Sequence, residues 1–405
     1  MGSLLAQLFR EKVAKDKSQK EADADVAYST GFLPIDFLNG KKINTIKGDY
    51  YSVGLVDGKA VTFIGRTGCG KTSLALQIGA NIIRPFPNAV MYYDDIEGGS
   101  DESRRMKLTG FGPNEIRDRI IYRNEGITAE NFFTRICDIC SLKIEHYNDF
   151  VYDTGLIDPL GEPIFKLQPT VYILDSLAML TPDKLTEEEE LSGQMSATSM
   201  AKTNTQVFKR IIPKLKQGNI ILLVINHIND DVNINPYQMK KAQIGYLKQG
   251  ETLPGGRAAS YLANNMFRLD DNTKLKESEG LGIYGKIVDV GIVKSRTNAG
   301  GKSVPLIFDS INGFDPTLSL LLFLKSIKAI VTKGAYMTMV DYPDVKFSNK
   351  DFREKLYGDP MFAKMFNEVC AKNLMGLIPD EDDYISYSSQ SSLTDNILST
   401  ITELK

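Results

Sequence analysis

Strand-length apolar runs recur through the middle of the chain: "AVTFIG" (60–65), "AVMYYDD" (89–95), "TVYILDS" (170–176), "IILLVINH" (220–227), "KIVDVGIVKS" (286–295) and "VPLIFDS" (304–310). Each is short and rich in β-branched or aromatic residues, so each predicts a strand. Runs apolar at consecutive positions suit strands buried on both faces, as in a parallel sheet. The segments between most of them are of helix length. That alternation predicts an α/β core with a largely parallel sheet and helices on both faces. The pattern changes at three places. Residues 148–170 carry turn signals ("YDTG", "DPLGEP") and predict a hairpin-like insertion. Beyond Leu318 the periodicity becomes helical and then acidic ("PDEDDYISYSSQSS"), which predicts a small C-terminal domain with an acidic tail over 318–405. Residues 1–28 read as an amphipathic helix and a charged tether, leaving 29–317 as the core. No internal repeat is visible.

Composition narrows the class. Hydrophobic residues make up 42% and charged residues 24%, too balanced for a disordered chain. No apolar stretch approaches the ~18 residues of a membrane span, and the N-terminus lacks the apolar segment of a secretion signal. Cys137 and Cys140 form a C-x-x-C, but they lie in "ITAENFFTRICDICSLKIEH", where apolar residues recur at helical spacing behind a Thr128 cap. With four cysteines in all and no second pair at ligand spacing, buried helix thiols are expected rather than a zinc site or disulfides. A reducing, cytoplasmic setting follows. The formal net charge of −3 advertises no general basic field for nucleic acid, although a local stripe would suffice.

The chemistry concentrates where strands end. Gly65, Arg66, Thr67, Gly68, Cys69, Gly70, Lys71 and Thr72 read "GRTGCGKT", a G-x-x-x-x-G-K-[ST] loop between a predicted strand and a predicted helix. Glycines let backbone N–H groups turn inward around phosphates, and the helix N-terminus adds partial positive charge. Lys71 is expected to reach the β- and γ-phosphates of ATP, and Thr72 to ligate Mg²⁺. Asp175 ends an apolar strand and suits coordination of Mg²⁺ through water. In "MYYDDIEGGSD" a water-positioning base is wanted; Glu97 is the candidate, with Asp95 the alternative. His227 follows a strand of nearly continuous hydrophobicity and is expected at the carboxyl edge of the sheet, where open α/β sheets bind ligands. His146 has no such setting and no role is assigned to it.

In order and spacing, "STGFLPIDFL", "GRTGCGKTSLALQ", "YDDIEGGSD", "ILDSLAMLTP", "LLVINHI", "PGGRAASYLA", "GIVKSRT" and "GFDP" resemble the RecA family of homologous-recombination ATPases, most closely the UvsX-type recombinases of bacteriophages. The resemblance spans Ser29 to Asp315. It implies a RecA-like P-loop ATPase core and a DNA-dependent ATPase. In that reading Glu97 activates water and His227 senses the γ-phosphate. Lys294 and Arg296, in "VKSRT", fall where the family places cations that reach a neighbouring protomer's ATP. Arg104 stands where relatives often stack a tyrosine on adenine.

Two further segments match the family's DNA-binding loops by position. The first is expected to contact DNA through Gly193, Gln194, Met195 and Ser196, and not through the acidic Glu187–Glu190 flank. The second carries Tyr237, Lys240, Lys241, Tyr246 and Lys248 and ends in Gly255, Gly256 and Arg257; lysines would meet phosphates and tyrosines would stack bases. The N-terminal helix, with Leu4, Leu5, Leu8 and Phe9, is expected to dock on an adjacent subunit. The partners implied are single-stranded DNA, a homologous duplex, further copies of the chain in a helical filament, and a loader or single-strand-binding protein. The alternatives are a ring-forming helicase of the same fold, or a filament that coats DNA with little turnover.

Overall fold

Side chains of the run Ile220–His227 point alternately to the two faces of a sheet, and both faces are covered. Ile221, Leu223 and Ile225 join one apolar cluster with Leu74, Leu76 and Ile78. Ile220, Leu222 and Val224 join a second with Phe132, Ile136, Phe208 and Leu215. A strand with a core on each side has no polar alternation, which is why the run is uninterrupted. The computed structural model describes residues 24–184, 193–230, 245–254, 263–275, 284–297 and 300–379, with backbone alone for 193–199 and 201. The expected N-terminal helix and acidic tail lie outside them.

The central sheet has nine strands: β1 (Ala60–Gly65), β2 (Met91–Asp95), β3 (Ile120–Arg123), β4 (Thr170–Asp175), β5 (Ile220–His227), β6 (Asn265–Lys274), β7 (Gly285–Ser295), β8 (Ser303–Asp309) and β9 (Gly313–Asp315). Their order is β9-β8-β7-β6-β1-β5-β4-β2-β3. Pairings from β6 through β3 are parallel, and those joining β6, β7, β8 and β9 are antiparallel. The sheet is therefore mostly parallel within a mixed α/β chain. The helices used below are α1 (Leu33–Leu38), α2 (Lys71–Ile83), α3 (Glu102–Thr109), α4 (Ala129–Glu145), α5 (Gly193–Gly218), α6 (Pro316–Ser326), α7 (Phe352–Gly358) and α8 (Pro360–Met375). Helix α2 covers one face, while α4 and α5 cover the other.

All six runs read as strands are strands of this sheet, and three more join them. Strand β6 escapes the apolar pattern because its second half, Asp270 to Lys274, is polar and mostly exposed. Residues 148–170 hold the expected hairpin, Val151–Ile157 against Pro163–Leu167. Its turn is tied by Asp158 Oδ1, which accepts from the backbone N–H groups of Leu160 and Glu162, both at 2.9 Å. Cys137 and Cys140 lie on α4 as free thiols, Cys140 buried. Beyond Leu318 the helical expectation needs correction. A three-stranded antiparallel sheet, Ile330–Lys333, Tyr336–Met339 and Tyr342–Phe347, intervenes before α7 and α8. Its strands are short and half solvated, so they carry too few apolar positions to reveal themselves. Phe347, Phe352, Phe362 and Phe366 continue the same apolar cluster that covers the α2 face of the central sheet.

Candidate functional site

Parallel neighbours end on the same edge of a sheet, so the order β1-β5-β4-β2 sets Gly65, His227, Asp175 and Asp95 side by side. The register makes this concrete: His227 pairs with Gly65, and Asp175 with Asp95. Three residues that lie far apart in sequence meet there, and donor atoms of Glu97, Asp175 and His227 all lie within 4.8 Å of one another.

The loop leaving β1 depends on glycine. A Cβ on Gly65 would stand 2.6 Å from Leu269 O, and one on Gly70 would stand 2.9 Å from the Phe314 ring. Gly70 also has φ +90° and caps α2 in the left-handed region. Lys71 is buried, and its ammonium donates to the carbonyls of Gly65 (3.0 Å) and Arg66 (2.8 Å). Thr67 and Gly68 are exposed on the outer side of the loop, while Cys69 is buried beneath it.

Thr72 Oγ1 donates to Asp175 Oδ2 at 2.6 Å, bridging the start of α2 to the end of β4. Burial pushes the Asp175 carboxyl up to about 6, with the Thr72 hydrogen bond working the other way. The donor set is hard oxygen, a hydroxyl beside a carboxylate, and it fits Mg²⁺.

Glu97 Oε1 lies 2.5 Å from His227 Nε2. Partial burial raises the Glu97 pKa, but the nearby Ser176 side chain and the hydrogen bond and charge of His227 outweigh it, so the carboxyl titrates below its usual range. Asp95 has a different task. It is buried and accepts from Gly98 N (2.9 Å), Ser100 N (3.0 Å) and Tyr122 OH (3.1 Å), pinning the turn that carries Glu97.

Other candidates lie away from this cluster and engage other partners. Arg66 turns from the loop and forms a bidentate pair with Asp230, at 3.1 and 2.5 Å. Arg104 donates to the carbonyls of Ser310 and Ile311 and to Ser73 Oγ (3.4 Å), so its edge fastens α3 to the 310–311 loop. Lys294 and Arg296 are on the opposite edge of the sheet. Arg296 N donates to Asn264 O, and Asn264 N to Ala60 O at the start of β1. Ala60 and Gly65 are five residue steps apart, about 16 Å along the strand. Burial and the neighbouring Arg296 hold the Lys294 ammonium below its usual pKa.

Of the segments matched to DNA loops, Tyr237, Lys240, Lys241, Gly255, Gly256 and Arg257 lie outside the described residues. Gly193 to Ser196 form the first turn of α5, with backbone alone described. Tyr246 is not a free stacking platform; it is half-buried against Ile64, Ile228, Leu247 and Met266. It anchors the base of its loop because its ring completes that small apolar cluster. Lys248 is two-thirds exposed at 66% and pairs with Asp270 at 3.2 Å.

Sequence reading missed the polar clamp beneath this loop. Arg268, almost fully buried, donates to both oxygens of Glu251 (2.7 and 2.8 Å) and to Asp270 (2.8 Å from Nε). Asn226 Nδ2 donates to Pro254 O at 2.8 Å. Both contacts thus hold the carboxyl-terminal end of the second loop. The signal was faint: an arginine inside an apolar strand implies a partner without naming it.

No protein-family model matches the chain, and no curated protein does. Fold and site together define a mixed α/β protein with a mostly parallel nine-stranded sheet whose carboxyl edge gathers a glycine loop, two carboxylates and a histidine. Among the described residues no helix is long and apolar enough to cross a membrane.

Proposed function

We propose that the protein is a DNA-dependent ATPase of the RecA-like class that forms helical filaments on single-stranded DNA and pairs that strand with a homologous duplex. The observation that carries the reading is the split between the two edges of the sheet. The glycine loop, Thr72–Asp175 and Glu97–His227 stand at one edge, while Lys294 and Arg296 stand at the other, out of reach of their own chain's loop. Cations so placed serve a nucleotide only when a neighbouring copy brings them to it. Turnover then depends on assembly, as expected of a filament that responds to DNA.

The chain's own residues divide the work. Backbone N–H groups of the loop and Lys71 bind the β- and γ-phosphates of ATP. Thr72 and Asp175 would hold Mg²⁺, which when bound neutralises phosphate charge. Glu97 orients the attacking water and takes its proton, its low pKa keeping it ionised at neutral pH. His227 touches Glu97 and lies next to Asn226, which holds Pro254, so it links the γ-phosphate position to the second loop.

The test is ATP hydrolysis measured with and without single-stranded DNA, the same samples being imaged. DNA-stimulated turnover with helical filaments supports the reading. Closed rings would replace it with a helicase, and DNA-bound filaments without turnover with a coating protein.

A further inference from the structure

Lys286, near the start of β7, reaches the glycine loop from outside. Its Nζ donates to Gly68 O at 2.9 Å and to Asp271 Oδ2 at 2.6 Å. Gly68 has φ +81°, and nothing lies within 4 Å of where a Cβ would stand. The peptide plane joining Gly68 to Cys69 therefore has no side-chain bulk or packing at Gly68 to hold it. The two ends of that plane face opposite ways. Its carbonyl points out to Lys286, while the Cys69 N–H points back into the loop, 3.4 Å from Arg66 O. Lys71 Nζ donates to the same Arg66 carbonyl at 2.8 Å. An inward N–H and an ammonium thus converge on one place, as they do where a phosphate oxygen is received.

We propose that Lys286 is a positioning residue for polyphosphate binding. It braces the Gly68 carbonyl so that the Cys69 N–H stays turned into the loop, and Asp271 holds the ammonium in position. This rests on the nucleotide reading of the loop. Without the brace, a glycine peptide turns over at little cost and presents carbonyl oxygen where an anion must sit. Lys286 differs in this from Lys71, which is buried inside the loop, and from Lys294 and Arg296 at the far edge.

The brace acts on phosphate binding more than on the chemical step. The experiment titrates Mg·ADP into the full chain by calorimetry and measures ATP kinetics with single-stranded DNA. Lys286→Met is expected to weaken ADP binding about tenfold, the scale of one lost charge-assisted hydrogen bond. KM should carry most of the kinetic effect, Lys286→Arg should restore affinity, and the ligand-free melting midpoint should not move. Unchanged ADP affinity in Lys286→Met overturns the brace. So does weakened binding that Lys286→Arg does not rescue and that follows a lowered melting midpoint. Lys71→Ala, run alongside, separates the two readings. If Lys71→Ala loses ADP while Lys286→Met keeps it, the brace alone fails; if Lys71→Ala also binds normally, the nucleotide reading and the brace fail together.

Discussion

Two carboxylates at the end of β2 have opposite surroundings although they are two residues apart. Asp95 is spent on three donors that shape a turn, and Glu97 projects from that turn to His227. With three hydrogen bonds already on its two oxygens, Asp95 is less well placed than Glu97 to take a proton from water, so the base is Glu97 in the proposed mechanism. Glu97→Gln keeps the shape and a hydrogen-bonding partner for His227 but removes the basic site. It should retain ATP-dependent assembly and lower turnover by about 10²–10⁴-fold. Normal turnover in this variant, measured by phosphate release, would return the role to Asp95. Both carboxylates were visible in the sequence. Their division of labour was not, because it depends on Tyr122 and on backbone donors that the fold brings in.

At the scale of elements, α4 is fixed to the amino edge of the sheet by one buried lysine. Lys143 Nζ donates to Gln168 O (2.6 Å) and Thr170 Oγ1 (3.1 Å) and lies 3.5 Å from Asn219 O, just before β4 and β5 begin. Burial depresses its pKa to about 7, against roughly 10.4 in an unfolded chain. Between those values the unfolded state holds a proton that the folded state has released, so the unfolding free energy rises with pH. The slope approaches about 1.4 kcal/mol per pH unit for one proton, and the contribution is lost as pH falls toward 7. Lys143→Met should flatten that slope. Denaturant midpoints for both proteins at intervals from pH 7 to 10 provide the check, and parallel curves would refute the assignment. The sequence shows Lys143 only as a break in the apolar pattern of α4. Its partners come from a loop and two strand ends that no local pattern connects.

For the whole molecule, the decisive feature of the proposed mechanism is that the glycine loop and the Lys294–Arg296 pair stand at opposite edges of one sheet. Arg296→Ala subunits keep an intact glycine loop, and Lys71→Ala subunits keep intact cations. Each alone should turn over ATP slowly. Mixing them should recover part of the DNA-stimulated rate at interfaces where a good loop meets good cations. No recovery at any mixing ratio would count against action across an interface. The C-terminal strands and helices add a second requirement: their phenylalanines extend the α2-side core, so truncation before Ile330 should destabilise the glycine loop's own scaffold.

Strands β1, β2, β4, β5, β7 and β8, the glycine loop and the carboxylate or histidine ending each of three strands were legible in the sequence. Burial on two faces writes itself as a continuous apolar run, and a tight phosphate-type turn requires glycine at fixed spacing. What only tertiary structure decided is which strand ends are neighbours, that Lys294 and Arg296 lie across the sheet from the loop, and how Lys286 and Arg268 find Gly68 and Glu251. Those pairings lie beyond local spacing, 17 positions apart for Arg268 and Glu251 and 218 for Lys286 and Gly68. They follow from strand order and register, which local periodicity does not encode.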